Sequence, residues 1–201
     1  DDDDAAEDAS SQGQSIQCLM EKVDQLEASC AQEVLHVAEL QSDDFHLDRP
    51  LYYACREDRE TLCKDVAAGE GRVYKCLLKK KNNPKMSDEC RVQITERLSV
   101  IQRDSKADYA FFKNCKKEIQ ELKCVNVSDV PLNTRHAGVM LCLEGAEKMQ
   151  PGSLSAECRE ELQEWRSALM SDYKISPEVV RHCGKILHDK CSKFASSSEP
   201  G

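Results

Sequence analysis

The sequence predicts an all-α fold, a disulfide-stapled array of short helices built from cysteine-rich repeats of about 60–68 residues. Three observations carry this expectation. Cys30 and Cys55, Cys90 and Cys115, and Cys158 and Cys183 are each separated by 24 residues. Each copy carries an Asp eleven residues before its second cysteine (Asp44, Asp104, Asp172) and an apolar residue four after its first (Val34, Ile94, Leu162). Apolar residues elsewhere recur three and four apart, the period of one helix face, and no alternating strand pattern competes.

Taken in order, residues 1–14 are read as a disordered acidic tail almost without apolar side chains. Residues 15–49 form the second half of a repeat, helical in pattern, with Cys30, Val34 and Val37 on one stripe. A complete repeat over 50–104 follows. Its first helix is expected from about Pro50, a residue suited to a first turn, to Val66. Gly69 and Gly71 break the chain, and a shorter helix over Arg72–Lys81 carries Cys76 until Asn83-Pro84 ends it. Ser87 is an N-cap candidate, with Asp88 and Glu89 in the first turn of a helix whose stripe is Cys90, Ile94, Leu98 and Ile101.

A second complete repeat spans 105–172. Its first helix shows Phe112, Cys115, Ile119 and Leu122 on one face. A loop from Val125 to about Asn133 precedes the helix of Cys142, which Pro151-Gly152 breaks. Ser155 opens a helix with the stripe Cys158, Leu162, Trp165 and Leu169. A further repeat begins over 173–192, with Ser176 as cap and Pro177 at the first position, and residues 193–201 read as a flexible tail.

Twelve cysteines in 201 residues, even in number and regular in spacing, imply a disulfide framework and an oxidising compartment. With only 5% aromatic residues the core gains from covalent staples. Of the net charge of −9, the first eight residues supply −6, leaving the body nearly neutral and giving no case for nucleic acid. No run of 18 apolar residues is present to span a membrane. No signal peptide opens the sequence, and the leader that the secretory setting requires is expected outside it.

Each complete repeat has four cysteines: Cys55, Cys63, Cys76, Cys90, then Cys115, Cys124, Cys142, Cys158. Leucine follows each third cysteine, at Leu19, Leu77 and Leu143. With the phrases CLMEKVDQLEASC, DDFHLDRPLYYAC and GEGRVYKCL, this pattern resembles the cysteine-rich repeats of the Golgi apparatus protein one family, also called cysteine-rich fibroblast growth factor receptor or E-selectin ligand. The resemblance covers Cys18 to Cys191. It implies a Golgi-luminal and cell-surface ectodomain with a membrane anchor beyond this segment. It also implies binding of fibroblast growth factors and presentation of glycans to E-selectin.

Pairing is a geometric matter. Cys55 and Cys63 are about 12 Å apart along one helix and cannot join. Cys63 and Cys76 flank the Gly69–Gly71 turn as facing positions of a hairpin, and Cys124–Cys142 is the equivalent pair. For the rest, the constant 24-residue gap favours a sequential scheme, Cys30–Cys55, Cys90–Cys115 and Cys158–Cys183, with Cys18 and Cys191 unpaired. The rival joins Cys55 to Cys90 within one repeat.

No nucleophile–base pair, phosphate loop or spaced carboxylates suggest an enzyme, and no cofactor is implied. Close C-x-x-C pairs, which zinc sites and thioredoxin-like chemistry need, are absent. His182, Cys183, His188 and Cys191 cluster, yet equivalent positions elsewhere lack histidine, so zinc is disfavoured. His36, His46 and His136 read as surface or packing residues, and Lys79–Lys81 as cations at a helix C-terminus before a heparan sulfate patch. Asn126-Val127-Ser128 is an N-glycosylation signal on a loop. The expected function is non-enzymatic binding of protein ligands, with a structural spacer as the alternative.

Overall fold

The computed structural model describes residues 13–124, 135–171, 183, 185–186 and 189–191. Among these there is no strand, and four disulfides staple the helices, so the all-α stapled array is the fold observed. A helical stretch over residues 13–21 and a 3-10 turn at Val23–Gln25 lead into α1 (Ala28–Asp43). The first complete repeat holds α2 (Arg49–Leu62), α3 (Arg72–Lys79) and α4 (Asp88–Arg103). A second 3-10 turn, Ser105–Ala107, opens onto α5 (Tyr109–Glu121), α6 (Arg135–Met149) and α7 (Ala156–Ser171).

Side-chain caps start the helices at matching places. Asp48 Oδ1 accepts from the Leu51 N–H at the start of α2, and Asp108 Oδ1 from the Phe111 N–H at the start of α5. The Ser87 and Ser155 hydroxyls accept from the amides of Cys90 and Cys158. Each cap satisfies an N–H that has no partner inside its helix. Asp44 and Asp104, the marks eleven residues before the second cysteines, fold the corners between helices by accepting from the amides of His46 and Lys106.

Within each repeat the first helix packs on the last, α2 on α4 and α5 on α7. α1 lies against α5 and the second 3-10 turn, which joins the copies side by side. The turn before α3 is docked on the end of α1, with Gly71 N–H donating to Asp43 O at 2.9 Å. Gly71 has φ +66°, which favours glycine, and a Cβ there would crowd Ser42 O at 3.3 Å.

The core adjusts several expected stripes. Cys90, Ile94, Leu98 and Ile101 are all buried, as are Cys158, Leu162 and Trp165. On α5, however, Phe111 rather than Phe112 is fully buried and Leu122 is exposed, because Phe111 lies four residues before Cys115 and eight before Ile119, on the face those two bury. On α1, Val34 and Ala38 face the core while Cys30 is exposed. The long helical segment expected after Ser15 is broken by the 3-10 turn at Val23–Gln25.

Candidate functional site

The cysteines set the frame. Cys55 bonds Cys90 and Cys115 bonds Cys158, with Cα–Cα distances of 4.7 Å in both. Cys63 bonds Cys76 and Cys124 bonds Cys142, the hairpin bonds common to both schemes. The sequential scheme is therefore corrected: Cys30 and Cys183, expected in bonds to Cys55 and Cys158, are free and exposed, and Cys90 does not meet Cys115. Cys18 and Cys191 are also free.

Helix lengths explain the correction. From Cys90, α4 runs 13 residues on to Arg103, about 20 Å, whereas Cys115 stands six residues into α5, about 9 Å. Even antiparallel helices leave these two cysteines far beyond disulfide reach. The constant gap records a helix and its corner, not a covalent loop.

Beside each first–fourth bond sits a polar latch. Asp58, three residues after Cys55, accepts from the Ser87 N–H at 2.9 Å and hydroxyl at 2.6 Å. Glu118, three after Cys115, accepts from the Ser155 N–H at 3.0 Å. Both acids are buried. Burial opposes ionisation of Glu118, but the hydrogen bonds from Ser155 outweigh it and hold the carboxyl below its usual range.

Seven residues before each first cysteine stands an aspartate, and seven after each fourth stands its partner. In the first repeat Arg97 Nη1 lies 3.6 Å from Asp48 Oδ2, while Arg97 Nη2 donates to Ala38 O at 2.6 Å and Ala107 O at 3.1 Å. In the second, Trp165 Nε1 donates to Asp108 Oδ2 at 2.6 Å. His136 is fully buried edge-on between Phe111 and Trp165, at 4.8 and 4.6 Å, with neither ring nitrogen hydrogen-bonded. Burial pushes its pKa down to about 3, keeping the ring neutral. Burial pushes Asp108 up to about 6 against its two hydrogen bonds, and pushes Asp48 up against the pull of Arg97.

Asp48, Arg97, Asp108 and Trp165 border a half-open cavity of about 660 Å³ where the repeats meet. Tyr74 and Leu78 come from the first repeat, Asp108, Tyr109 and Trp165 from the second. Ion pairs cross its rim. Lys75 Nζ lies 2.8 Å from Glu161 Oε1 and 2.6 Å from Glu164 Oε2, and Lys79 Nζ lies 2.8 Å from Glu164 Oε1. Asn114 adds a hydrogen bond to Glu161. Burial opposes the Lys75 charge, but the two glutamates win and raise its pKa. Lys79, read from sequence as a helix-end cation, is thus part of the junction.

Of the other residues singled out in the sequence, Asn126, His182 and His188 lie outside the described residues. Among the described residues no group of three or more His, Cys, Asp or Glu converges as a metal site, and no helix is long and apolar enough to cross a membrane. Sequence reading missed Asp48, Asp108, Arg97 and the cavity role of Trp165. The detectable signal was the aspartate repeated seven residues before each first cysteine of the two complete copies.

The cysteine rich repeat family matches residues 28–85, 88–148 and 156–200. Golgi apparatus protein 1 of Cricetulus griseus is 41% identical over 92% of this chain and 17% of its own length. The Homo sapiens protein is 40% identical over 92% of this chain and 16% of its own, and the Caenorhabditis elegans homolog 36% over 92% and 17%. The chain thus spans less than a fifth of the length of these curated relatives. No solved structure matches. The disulfides and the Golgi naming of the relatives assign the chain to the secretory pathway and the Golgi. On the repeat spacing, the two stapled helix pairs and these matches, the chain belongs to the cysteine rich repeat family.

Proposed function

We propose that the chain is a non-enzymatic, protein-binding segment of a secretory-pathway ectodomain, and that its ligands are fibroblast growth factors. The observation that carries this reading is membership of a family named for a cysteine-rich fibroblast growth factor receptor. A disulfide-stapled helical array with a cavity between repeats supports it as binding architecture. The acidic residues 1–14 suit a basic ligand. Surface plasmon resonance against a panel of fibroblast growth factors tests the reading. Binding is expected to weaken with salt and on deletion of residues 1–14. No affinity for any member overturns it.

Presentation of fucosylated glycans to E-selectin is the second activity proposed from the resemblance, with Asn126 as the attachment site and the cell surface as the place. Mass analysis of a tryptic digest from a eukaryotic secretory host is expected to find glycosylated Asn126. The spacer reading is favoured by the stapling itself, since covalently tied helix pairs hold their length without a ligand. Full absence of growth-factor binding together with an intact cooperative fold selects the spacer.

A further inference from the structure

We propose that the cavity between the two repeats receives a basic side chain of a protein partner, an arginine or lysine seated beside the Asp108 carboxylate in a wall that also carries Tyr74, Tyr109 and Trp165. The proposal rests on the growth-factor reading above and names where such a partner engages.

The charge inventory of the cavity selects this occupant. Its cations are already engaged: Lys75 and Lys79 by Glu161 and Glu164, and Arg97 by Asp48 and two carbonyls. Lys81 has a partner as well. Arg97 Nη1 makes no hydrogen bond, but Asp48 3.6 Å away already counters its charge. An anionic ligand would have to displace one of these acids. Among the acids, Asp48, Glu161 and Glu164 meet cations. Glu160 stands exposed at the edge, and Asp108 is the acid inside the wall for which no ion pair is formed among the described residues. Its oxygens accept one hydrogen bond each, from the Phe111 N–H and from Trp165 Nε1, which leaves lone pairs free.

Desolvation outweighs the hydrogen bonds and the pull of Lys75 and raises the Asp108 carboxyl to about 6, and a cation entering the cavity adds positive charge directly beside it. Aromatic side chains beside a carboxylate favour guanidinium or ammonium over a neutral group, and Tyr109 already holds a cation this way, with Lys113 Nζ 5.8 Å from its ring centroid. A volume of about 660 Å³ holds such a side chain with its flanking backbone.

The chain contains one tryptophan, so Trp165 fluorescence and its Nε1–H resonance report on the cavity without a label. The probe is a capped Gly-Arg-Gly tripeptide, compared with its neutral citrulline counterpart. The arginine peptide is expected to shift the Trp165 signals saturably and the citrulline peptide to leave them unmoved. Asp108→Asn, which keeps an acceptor for the cap, is expected to weaken the response about tenfold, and Tyr109→Leu about threefold. Circular dichroism checks that each variant folds. Should Asp108→Asn fail to fold, the citrulline comparison and Tyr109→Leu carry the test. Equal titration by both peptides, or no response to arginine, overturns the proposal. A fibroblast growth factor that binds wild type and Asp108→Asn alike overturns the cavity and leaves the growth-factor reading standing. A saturable, arginine-specific response without affinity for any growth factor does the reverse.

Discussion

The two complete repeats place an aspartate at the same point, seven residues before the first cysteine, and answer it with different chemistry. In the first, Asp48 faces Arg97; in the second, Asp108 faces Trp165. Both partners stand seven residues after the fourth cysteine, so the disulfide and the helix caps bring the same two positions together in each copy. What differs is the surroundings. Arg97 Nη2 finds the carbonyls of Ala38 and Ala107, and Asp48 lies 3.6 Å from Nη1 to counter the charge, so a guanidinium can be buried there. Trp165 is surrounded instead by Phe111 and His136. It needs one acceptor for its single N–H, and Asp108 is that acceptor. Shared staples thus fix a register, and neighbours decide what charge that register tolerates.

The largest expected effect tests the shared part. Replacing both cysteines of Cys55–Cys90 or of Cys115–Cys158 with serine should cost about 4 kcal/mol in each repeat, and the hairpin bonds about 3 kcal/mol, on the chain-entropy model. Denaturant melts of the two first–fourth variants measure this. A large inequality between them would show that one repeat does not depend on its staple.

The divergent part comes next. Arg97→Met leaves Asp48 buried without its cation and should destabilise by about 3 kcal/mol. Trp165→Phe removes one hydrogen bond to Asp108 and should cost about 1 kcal/mol. Equal losses would mean that the two aspartates are held alike after all.

A pH series sharpens the second repeat. The folded Asp108 has its pKa raised from 3.8 to about 6, so the folded chain binds a proton that the unfolded chain has released. Its contribution is present below 3.8 and is lost as pH rises through 6, by roughly 2 kcal/mol once solvent screening is allowed for. Glu161 opposes its ionisation and Lys75 favours it. His136 acts in the opposite sense. Its pKa falls from 6.5 to about 3, so its contribution is present above 6.5 and is lost as pH falls toward 3. Stability curves of Asp108→Asn and His136→Leu between pH 3 and 7 should therefore diverge from wild type in opposite directions.

The smallest effects belong to the latches. Asp58→Ala and Glu118→Ala should cost similar amounts, about 1 kcal/mol each, because each acid accepts from the amide and the hydroxyl of the serine that caps the following helix. Thermal melts compare them, and a clearly unequal loss would show that the two latches are not equivalent.

Much of this arrangement is written locally. Ser87 as a cap, the Gly69–Gly71 turn, the Cys90–Ile101 stripe and the cysteine spacing depend on residues a few positions apart, and each is legible from the chain. A cap or a helix face follows from short-range hydrogen bonding and a 3.6-residue period, which the sequence states directly.

The pairings across elements depend on more. Phe112 and Phe111 are neighbours in sequence, three and four residues before Cys115, and the packing around Cys115 and Ile119 selects the face that carries Phe111. The 24-residue gap looked like a covalent loop until helix lengths showed it to be a helix and its corner. Sequence by itself thus determined an all-α, cysteine-stapled repeat and its family. Tertiary structure decided that Cys55 reaches Cys90, that Trp165 meets Asp108, and that a cavity opens between the copies. Those choices rest on which helix faces which, and they are settled by burial and charge compensation among residues tens of positions apart.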